Sequence, residues 1–458
     1  MRRHDVKTTG PGNVSPRVAC PQPRSSPRRI LAWSLFAFTL LCAGGVSAVE
    51  RFPAPEFRSG YQLPKTEVSP VHSAWYGYID MAVLAGALGL AVHFIYNWRS
   101  RRAVFWLTIF SLLYFGFWRK GCICPIGSIQ NVAYAAGSGS YALPLGVAVF
   151  FVLPLLTTLF FGRAFCAAVC PLGAIQDVVL WKPVNVPPWL EQGLGLFAYL
   201  YLGLAVLFAS IGSDFVICRY DPFVGFFRLS AEASMLFLGG VLLLASMFIG
   251  RTYCRFICPY GVILRILSIF SKRTVSITPT DCVDCRLCEQ SCPFGAIRFP
   301  TPQGNPRRSR DGKHQLALAI ALLPVIVAGF AGAGWLARNA LSRADFTVRQ
   351  AERVWLEENK LVQGETNESK AFRDQGRTPA ELYADARTIQ RKYAIGAPML
   401  GAYMGLVIGI KLIALIVRRQ RSGYTTDPGG CVACARCYVS CPVEREQKEE
   451  RRRELVVA

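Results

Sequence analysis

The chain is built on long apolar runs separated by short charged clusters. Runs at about 75–96, 103–118, 142–161, 193–212, 232–250, 315–337 and 398–417 are each near the length a helix needs to cross the roughly 30 Å hydrocarbon layer of a bilayer. An earlier run, Ile30 to Ala48, follows Arg24, Arg28 and Arg29 and ends Val46-Ser47-Ala48. It reads as a signal peptide with a small-residue cleavage site or as a retained anchor. Arg28-Arg29 is a weak twin-arginine match, and Cys42 lacks the small residue that precedes a lipoprotein cysteine. With 458 residues, 52% hydrophobic content and a mean hydropathy of +0.31, the expectation is a multi-pass protein of a bacterial inner (cytoplasmic) membrane.

Charge orients the runs. Lys and Arg cluster beside them, as cytoplasmic flanks do, so the net charge of +22 speaks for a membrane surface and against nucleic acid. Placing Asn97 to Arg102 inside puts 119–141 outside, 162–192 inside, 213–231 outside and Arg251 to Lys313 inside. Arg307, Arg308, Arg310 and Lys313 then stand inside before the next span, and Arg418, Arg419 and Arg421 inside after the last. The external loop at about 338–397 reads as helical, with Thr378-Pro379-Ala380-Glu381 as a capping box. It offers packing or partner docking. Gly401, Gly405 and Gly409 recur every fourth residue, a face for close approach of another helix. Lys411 is near enough to the inner end to snorkel, and the tail from Glu444 to Glu454 reads as a charged, solvated helix.

Cysteine supplies the chemistry. Cys282, Cys285, Cys288 and Cys292 precede Pro293, and Cys431, Cys434, Cys437 and Cys441 precede Pro442. Both spell C-x2-C-x2-C-x3-C-P, the run that wraps a [4Fe-4S] cluster in bacterial ferredoxins, where the fourth cysteine serves the other cluster. The spacing therefore predicts one cluster on Cys282, Cys285, Cys288 and Cys441 and another on Cys431, Cys434, Cys437 and Cys292. Structural zinc is the rival, since thiolates also take zinc, but zinc motifs present two ligands at a time. Of the seventeen cysteines, fifteen lie in or near these runs or the membrane flanks, which is no disulfide scaffold.

A second set lies at the membrane surface. GRAFCAAVCPLGAI at 162–175 and GRTYCRFICPYGVI at 250–263 form an internal repeat. Cys166, Cys170, Cys254 and Cys258 make up the four thiolates that a cluster needs, or else Cys-Pro merely caps a helix. Arg163, Arg251 and Arg255 stand beside them, placed to lower thiol pKa and tune a negative cluster. On the outer side are Cys122 and Cys124, in a looser version of the motif, and Cys218. These three form a disulfide plus a free thiol, or they contribute to an outer redox site. Of His4, His72, His93 and His314 only His93 falls within a span, so no haem is expected.

The paired GRxFCxxxCPxGxIQ and GRxYCRxxCPxG segments and the two ferredoxin motifs, over about residues 75–445, resemble the membrane polyferredoxin family of NosR, NirI and NapH type. The resemblance implies an inner-membrane electron carrier between quinol or a cytoplasmic donor and a periplasmic acceptor. Only about Val49 to Ala74 precedes the first span, where NosR-type proteins carry a flavin-binding domain, so flavin is expected only through a separate periplasmic partner. The expected fold is mainly α: a polytopic helical membrane bundle with a small cytoplasmic α+β, bacterial-ferredoxin-like two-cluster domain split by a pair of spans. Its parts are a signal or anchor (1–49), a short periplasmic segment (50–74), the bundle (75–270), a first ferredoxin half (271–314), two spans with their loop (315–418) and the second half with its tail (419–458). No general acid, nucleophile or substrate pocket is legible, so the chain reads as a non-catalytic electron-transfer subunit with redox partner proteins. The alternative is an accessory factor supplying reducing power for assembly of a metalloenzyme.

Overall fold

The computed structural model describes residues 74–457 apart from 122–124, 140, 185, 229–231, 278–281, 284, 301–307 and 418–422. The signal or anchor run and nearly all of the short segment after it lie outside the described residues. The bundle begins with α1 (Ala74–Val92), α2 (Arg101–Ser111), α3 (Pro125–Ser138), α4 (Leu145–Phe161), α5 (Pro171–Val179) and α6 (Pro188–Ile211). It continues through α7 (Pro222–Arg228), α8 (Ala233–Phe248) and α9 (Pro259–Ile269). Then come α10 (Leu287–Ser291), β1 (Ile297–Arg298), α11 (Arg308–Ser342), α12 (Phe346–Glu358), α13 (Asn367–Asp374), α14 (Pro379–Ile416), β2 (Thr425–Thr426), α15 (Arg436–Ser440) and α16 (Pro442–Val457). Proline opens α3, α5, α6, α7, α9, α14 and α16, because its fixed φ suits the first helical position and its missing N–H costs nothing there.

Among the described residues, four helices are long and apolar enough to cross a membrane: Trp75–Asn97, Trp189–Ile211, Gly312–Ser342 and Pro379–Ile416. The bent pair α7 and α8 would make a fifth. The apolar runs at 142–161 and 232–250 yield α4 and α8, of 17 and 16 residues, ended by Gly162 and Ile249 in non-helical conformations. The run at 103–118 starts as α2 and loosens into a π-helix over Leu112–Trp118.

Long helices α11 and α14 form a hairpin. Gly401 lies against the Phe330 carbonyl, Gly405 against Val327 Cα, where a Cβ would come to 2.9 Å, and Gly409 against Leu323. The opposite face of α14 packs on α6, with Tyr393 buried beside Leu207 and Phe208. The loop between the two is a small helical unit whose core is Val348, Ala351, Val354, Phe372, Leu382 and Ala386. Pro379 does open α14, but the Thr378 side chain makes no capping bond. Glu381, needed for the expected capping box, pairs instead with Arg377 at 3.8 Å. The capping box in this loop is Thr366 with Ser369, at the start of α13.

The segments on either side of this hairpin meet. β1 pairs antiparallel with β2, Ile297 opposite Thr426 and Arg298 opposite Thr425, and α10 packs on α15. Asp427 N–H donates to the Ala296 carbonyl at 2.7 Å. An insertion of more than a hundred residues therefore leaves one continuous small unit, seated on the bundle.

Candidate metal centre

Each Cys-x2-Cys-x2-Cys-x3-Cys-Pro run begins as a loop and ends in one helical turn, α10 or α15. Between the cysteines the backbone passes through the left-handed region at Arg286 (φ 58°), Ala433 (φ 53°) and Ala435 (φ 60°). Residues with a side chain adopt it only where the surroundings enforce it, at roughly 1–3 kcal/mol each, and such positions cluster at functional sites. The bends turn the thiols inward. Cys282, Cys285, Cys288 and Cys441 line one pocket with Ile277, Tyr424 and Pro442. Cys292, Cys431, Cys434 and Cys437 line a second with Phe294, Ile297 and Val432. Three thiols of each quartet come from one run and the fourth from the other.

The two pockets are alike, each lined by four cysteines and apolar side chains. They adjoin through a shared core of Ile277, Cys288 and Ile297, against which Cys292, Tyr424 and Cys437 pack. Among the described residues no three His, Cys, Asp or Glu side chains converge on a single ion; the thiols stand around wider walls. Burial pushes the Cys288 thiol up to about 11 and Cys431 up to about 12. Such thiols lose their protons to a bound metal rather than to water, so the quartets suit iron and sulfide better than free thiolate chemistry.

A third pocket is walled by Cys166, Cys254 and Cys258 with Arg163, Arg251 and Arg255. It shares Phe294 and Val432 with the second pocket. Cys170 is buried, close enough to Cys258 for their charges to repel. Gln176 Nε2 donates to Cys254 Sγ at 3.4 Å, and Gly261 N–H to Cys258 Sγ at 3.3 Å. The Nε atoms of Arg163 and Arg251 are buried without a hydrogen-bond partner among the described residues. Orphaned donors of this kind call for an acceptor, and the sulfides of an anionic cluster between these thiols would supply one. Arg251 and Arg163 do act to lower the Cys254 thiol, as the sequence suggests, but not enough to bring it below its ordinary value. Burial outweighs them, pushing Cys254 up to about 11 and Cys258 well above its ordinary value. Arg251 is also engaged elsewhere, donating to the carbonyls of Cys166 and Ala167.

No motif in the sequence marks the residue at the centre of this end. Asp177, next to Gln176, is buried and takes Arg101, Arg251 at 3.7 Å and Arg436 at 3.1 Å. Burial opposes its ionisation, but Arg101, Arg436 and Arg251 together hold its carboxyl well below the usual carboxylate range. Arg436 sits between Cys434 and Cys437, and Arg101 also donates to the Cys434 carbonyl at 3.2 Å. Further contacts seat the small unit. Arg163 donates to the Gly429 carbonyl at 3.2 Å, Ser268 Oγ to the Pro428 carbonyl at 3.0 Å, and Arg255 to the Phe294 carbonyl at 3.3 Å. At Gly250 a Cβ would meet Pro293 at 2.8 Å, so glycine is what lets the first Cys-Pro turn touch the repeat.

Other expectations shift. Glu444 in the tail is buried and paired with Arg99 at 2.8 Å, not solvated. Lys411 reaches toward the inner end of α6: its Nζ donates to the Gln192 carbonyl at 2.9 Å and lies over the Tyr199 ring. Cys122 and Cys124 lie outside the described residues. Cys218 is exposed, and its thiol would lie 3.6 Å from a Cβ on Gly127.

The family model for a 4Fe-4S binding domain matches residues 143–196 and 232–278, the stretches carrying the Cys-x3-Cys-Pro repeat. A second 4Fe-4S binding domain model matches 275–298, the first quartet. The chain is 30% identical over 118 residues to the proposed electron transport protein YccM of Escherichia coli. It is 34% identical over 193 residues to NirI of Paracoccus denitrificans. Over these stretches the chain resembles 4Fe-4S-binding membrane proteins of the NirI type. These matches cover 24% and 40% of this chain but only 33% of YccM and 22% of NirI. An uncharacterised protein of Methanocaldococcus jannaschii is 29% identical over 191 residues, which cover 41% of this chain and 79% of that protein. No solved structure matches the chain.

Proposed function

We propose that the chain carries single electrons along a row of three [4Fe-4S] clusters, two in the split ferredoxin-like unit and one in the repeat beneath it. The observation that carries this reading is adjacency: the first and second thiol-lined pockets meet at Cys288, Cys292 and Cys437, and the second and third share Phe294 and Val432. Clusters in the quartets and the repeat would supply one-electron steps whose potentials depend on hydrogen bonds to sulfur, burial and nearby charge. The chain's own part is to hold the stations together and dry. Arg163, Gln176 and Gly261 direct donors at sulfur, and Asp177 locks the second quartet onto the repeat.

The split unit faces the cytoplasm of a bacterial inner membrane in this reading. Its neighbours Arg99, Arg101, Arg163, Arg251 and Arg273 belong to the basic flanks of the apolar runs, and such flanks lie inside. Electrons pass between a cytoplasmic protein donor and a membrane or periplasmic redox partner, with flavin, where needed, on a separate protein and quinol as the lipid-phase candidate.

Iron and sulfide analysis with electron paramagnetic resonance tests the proposal on the full chain in detergent. The row of three predicts about twelve irons. Cys285→Ser, Cys437→Ser and the double variant Cys166→Ser with Cys254→Ser each remove or alter a different signal. A full iron count in the double variant would remove the third cluster, and iron-free wild type would sink the reading.

A further inference from the structure

The third pocket gathers more positive charge than its own side chains balance. Arg163, Arg251, Arg255 and Arg265 line it against a single carboxylate, Glu191. Arg255 takes that carboxylate at 2.9 Å. Arg251 and Arg163 are the arginines whose charge bears most on Cys254, and Arg251 also pairs with Asp177 at 3.7 Å. Arg265 is left over, because among the described residues its guanidinium meets no hydrogen-bond or ion-pair partner.

A second cation faces it. Lys411 of α14 lies over the Tyr199 ring and would stand 3.3 Å from a Cβ on Gly195, and both Tyr199 and Gly195 line the same pocket. Its hydrogen bond goes to a neutral acceptor, the Gln192 carbonyl. Lys411 and Arg265 are close enough for their charges to repel. Like charges brought together away from bulk water are unfavourable, and an anion between them removes the conflict.

Depth in the membrane says which anion. Trp189, 75% exposed at the start of α6, stands where tryptophan marks the level of the headgroups, and Gln192 follows it within one turn. Ile266 and Ile269 come just after Arg265 on α9, and Leu412 and Leu415 just after Lys411 on α14, all of them exposed. They offer acyl chains an apolar surface beside the two cations. Basic pockets between spanning helices on the cytoplasmic side take acidic lipid headgroups.

We propose that Arg265 and Lys411 form a phosphate site at the inner leaflet, occupied by the headgroup of an anionic phospholipid lying between α6, α9 and α14. The lipid closes the pocket that opens on Cys254 and Cys258. Arg265 also packs on Gly429, where a Cβ would come 3.5 Å from its Cγ, so the headgroup braces the split unit against the bundle. The site rests on the reading that this end of the bundle faces the inner leaflet, and it needs no cluster.

Phosphatidylglycerol titrated into the delipidated full chain in detergent, with bound lipid counted by native mass spectrometry, tests the site; phosphatidylcholine and inorganic phosphate are the comparison probes. Wild type prefers phosphatidylglycerol to phosphatidylcholine, and inorganic phosphate does not displace it. Arg265→Gln with Lys411→Gln weakens the binding about thirty-fold, as two charges at a membrane surface should. Where that double variant does not accumulate, Arg265→Gln alone weakens it about five-fold. Lys370→Gln, in the outer loop, binds as wild type does. Undiminished binding in the Arg265 and Lys411 variants, or equal affinity for phosphatidylcholine, overturns the proposal. Displacement by inorganic phosphate makes the free ion the occupant and overturns the lipid. Loss of iron from Arg265→Gln gives that guanidinium to the third cluster and overturns it as well. Iron-free wild type that still selects phosphatidylglycerol upholds this site while it strikes the row of clusters.

Discussion

A single buried carboxylate, Asp177, gathers guanidinium groups from the flank of the first span, the second repeat and the last cysteine run. Removing one partner of a buried ion network leaves the others uncompensated, at about 3–5 kcal/mol. Asp177→Asn should therefore lower the thermal midpoint in detergent and release residues 423–457 to protease before the bundle melts. The acid limb provides a second check. A carboxyl held below its ordinary value of 3.8 contributes stability that is fully present above about pH 4 and is lost as pH falls through the folded value. Wild type should lose midpoint steeply below about pH 4, and Asp177→Asn should show a flatter acid slope. None of this is legible in the sequence. Arg101 and Arg436 look like ordinary membrane-flank and loop charges, and their meeting with Asp177 depends on how distant segments stack. The cysteine ligand candidates are legible for the opposite reason, since their spacing within each run is local.

At the scale of helices, the α11–α14 hairpin is the part that the sequence describes best. Gly401, Gly405 and Gly409 fall every fourth residue, close to one helical turn, and all three meet α11. Gly405→Ala would push a Cβ to 2.9 Å from Val327 Cα, an overpacking that costs about 1–3 kcal/mol. Gly329, on α11, faces open space where a Cβ would project. Gly329→Ala should raise stability by about 0.5–1 kcal/mol through helix propensity. Opposite shifts of the unfolding midpoint would establish the contrast, and equal shifts would mean that α14 does not pack by this face. Helix ends are less legible. Glu381 has the right spacing for a capping box with Thr378, but Arg377 competes for it, and local spacing does not reveal which partner wins.

Across the whole molecule, the two cysteine runs must share one side of the membrane to share one unit. Gln290→Cys and Glu446→Cys, at exposed positions beside the two runs, should react with an impermeant thiol reagent only after cells are opened. Lys370→Cys, exposed in the helical loop, should react in intact cells. Reaction of Gln290→Cys and Glu446→Cys from opposite sides would dissolve the shared unit. The helices follow the apolar runs, whereas the seating of the unit through Gly250, Arg163 and Glu444 is not legible in the sequence, because each contact joins residues far apart along the chain.

Pairing between the halves has a bearing on synthesis. Each quartet waits for a cysteine from the other half, Cys441 for the first and Cys292 for the second. A ribosome must thread the α11–α14 hairpin into the bilayer before either quartet is whole. Chains that stall, or that fail to insert those two helices, present only incomplete sets of three sulfur ligands, so metal loading would act as a late inspection of a finished and correctly inserted polypeptide.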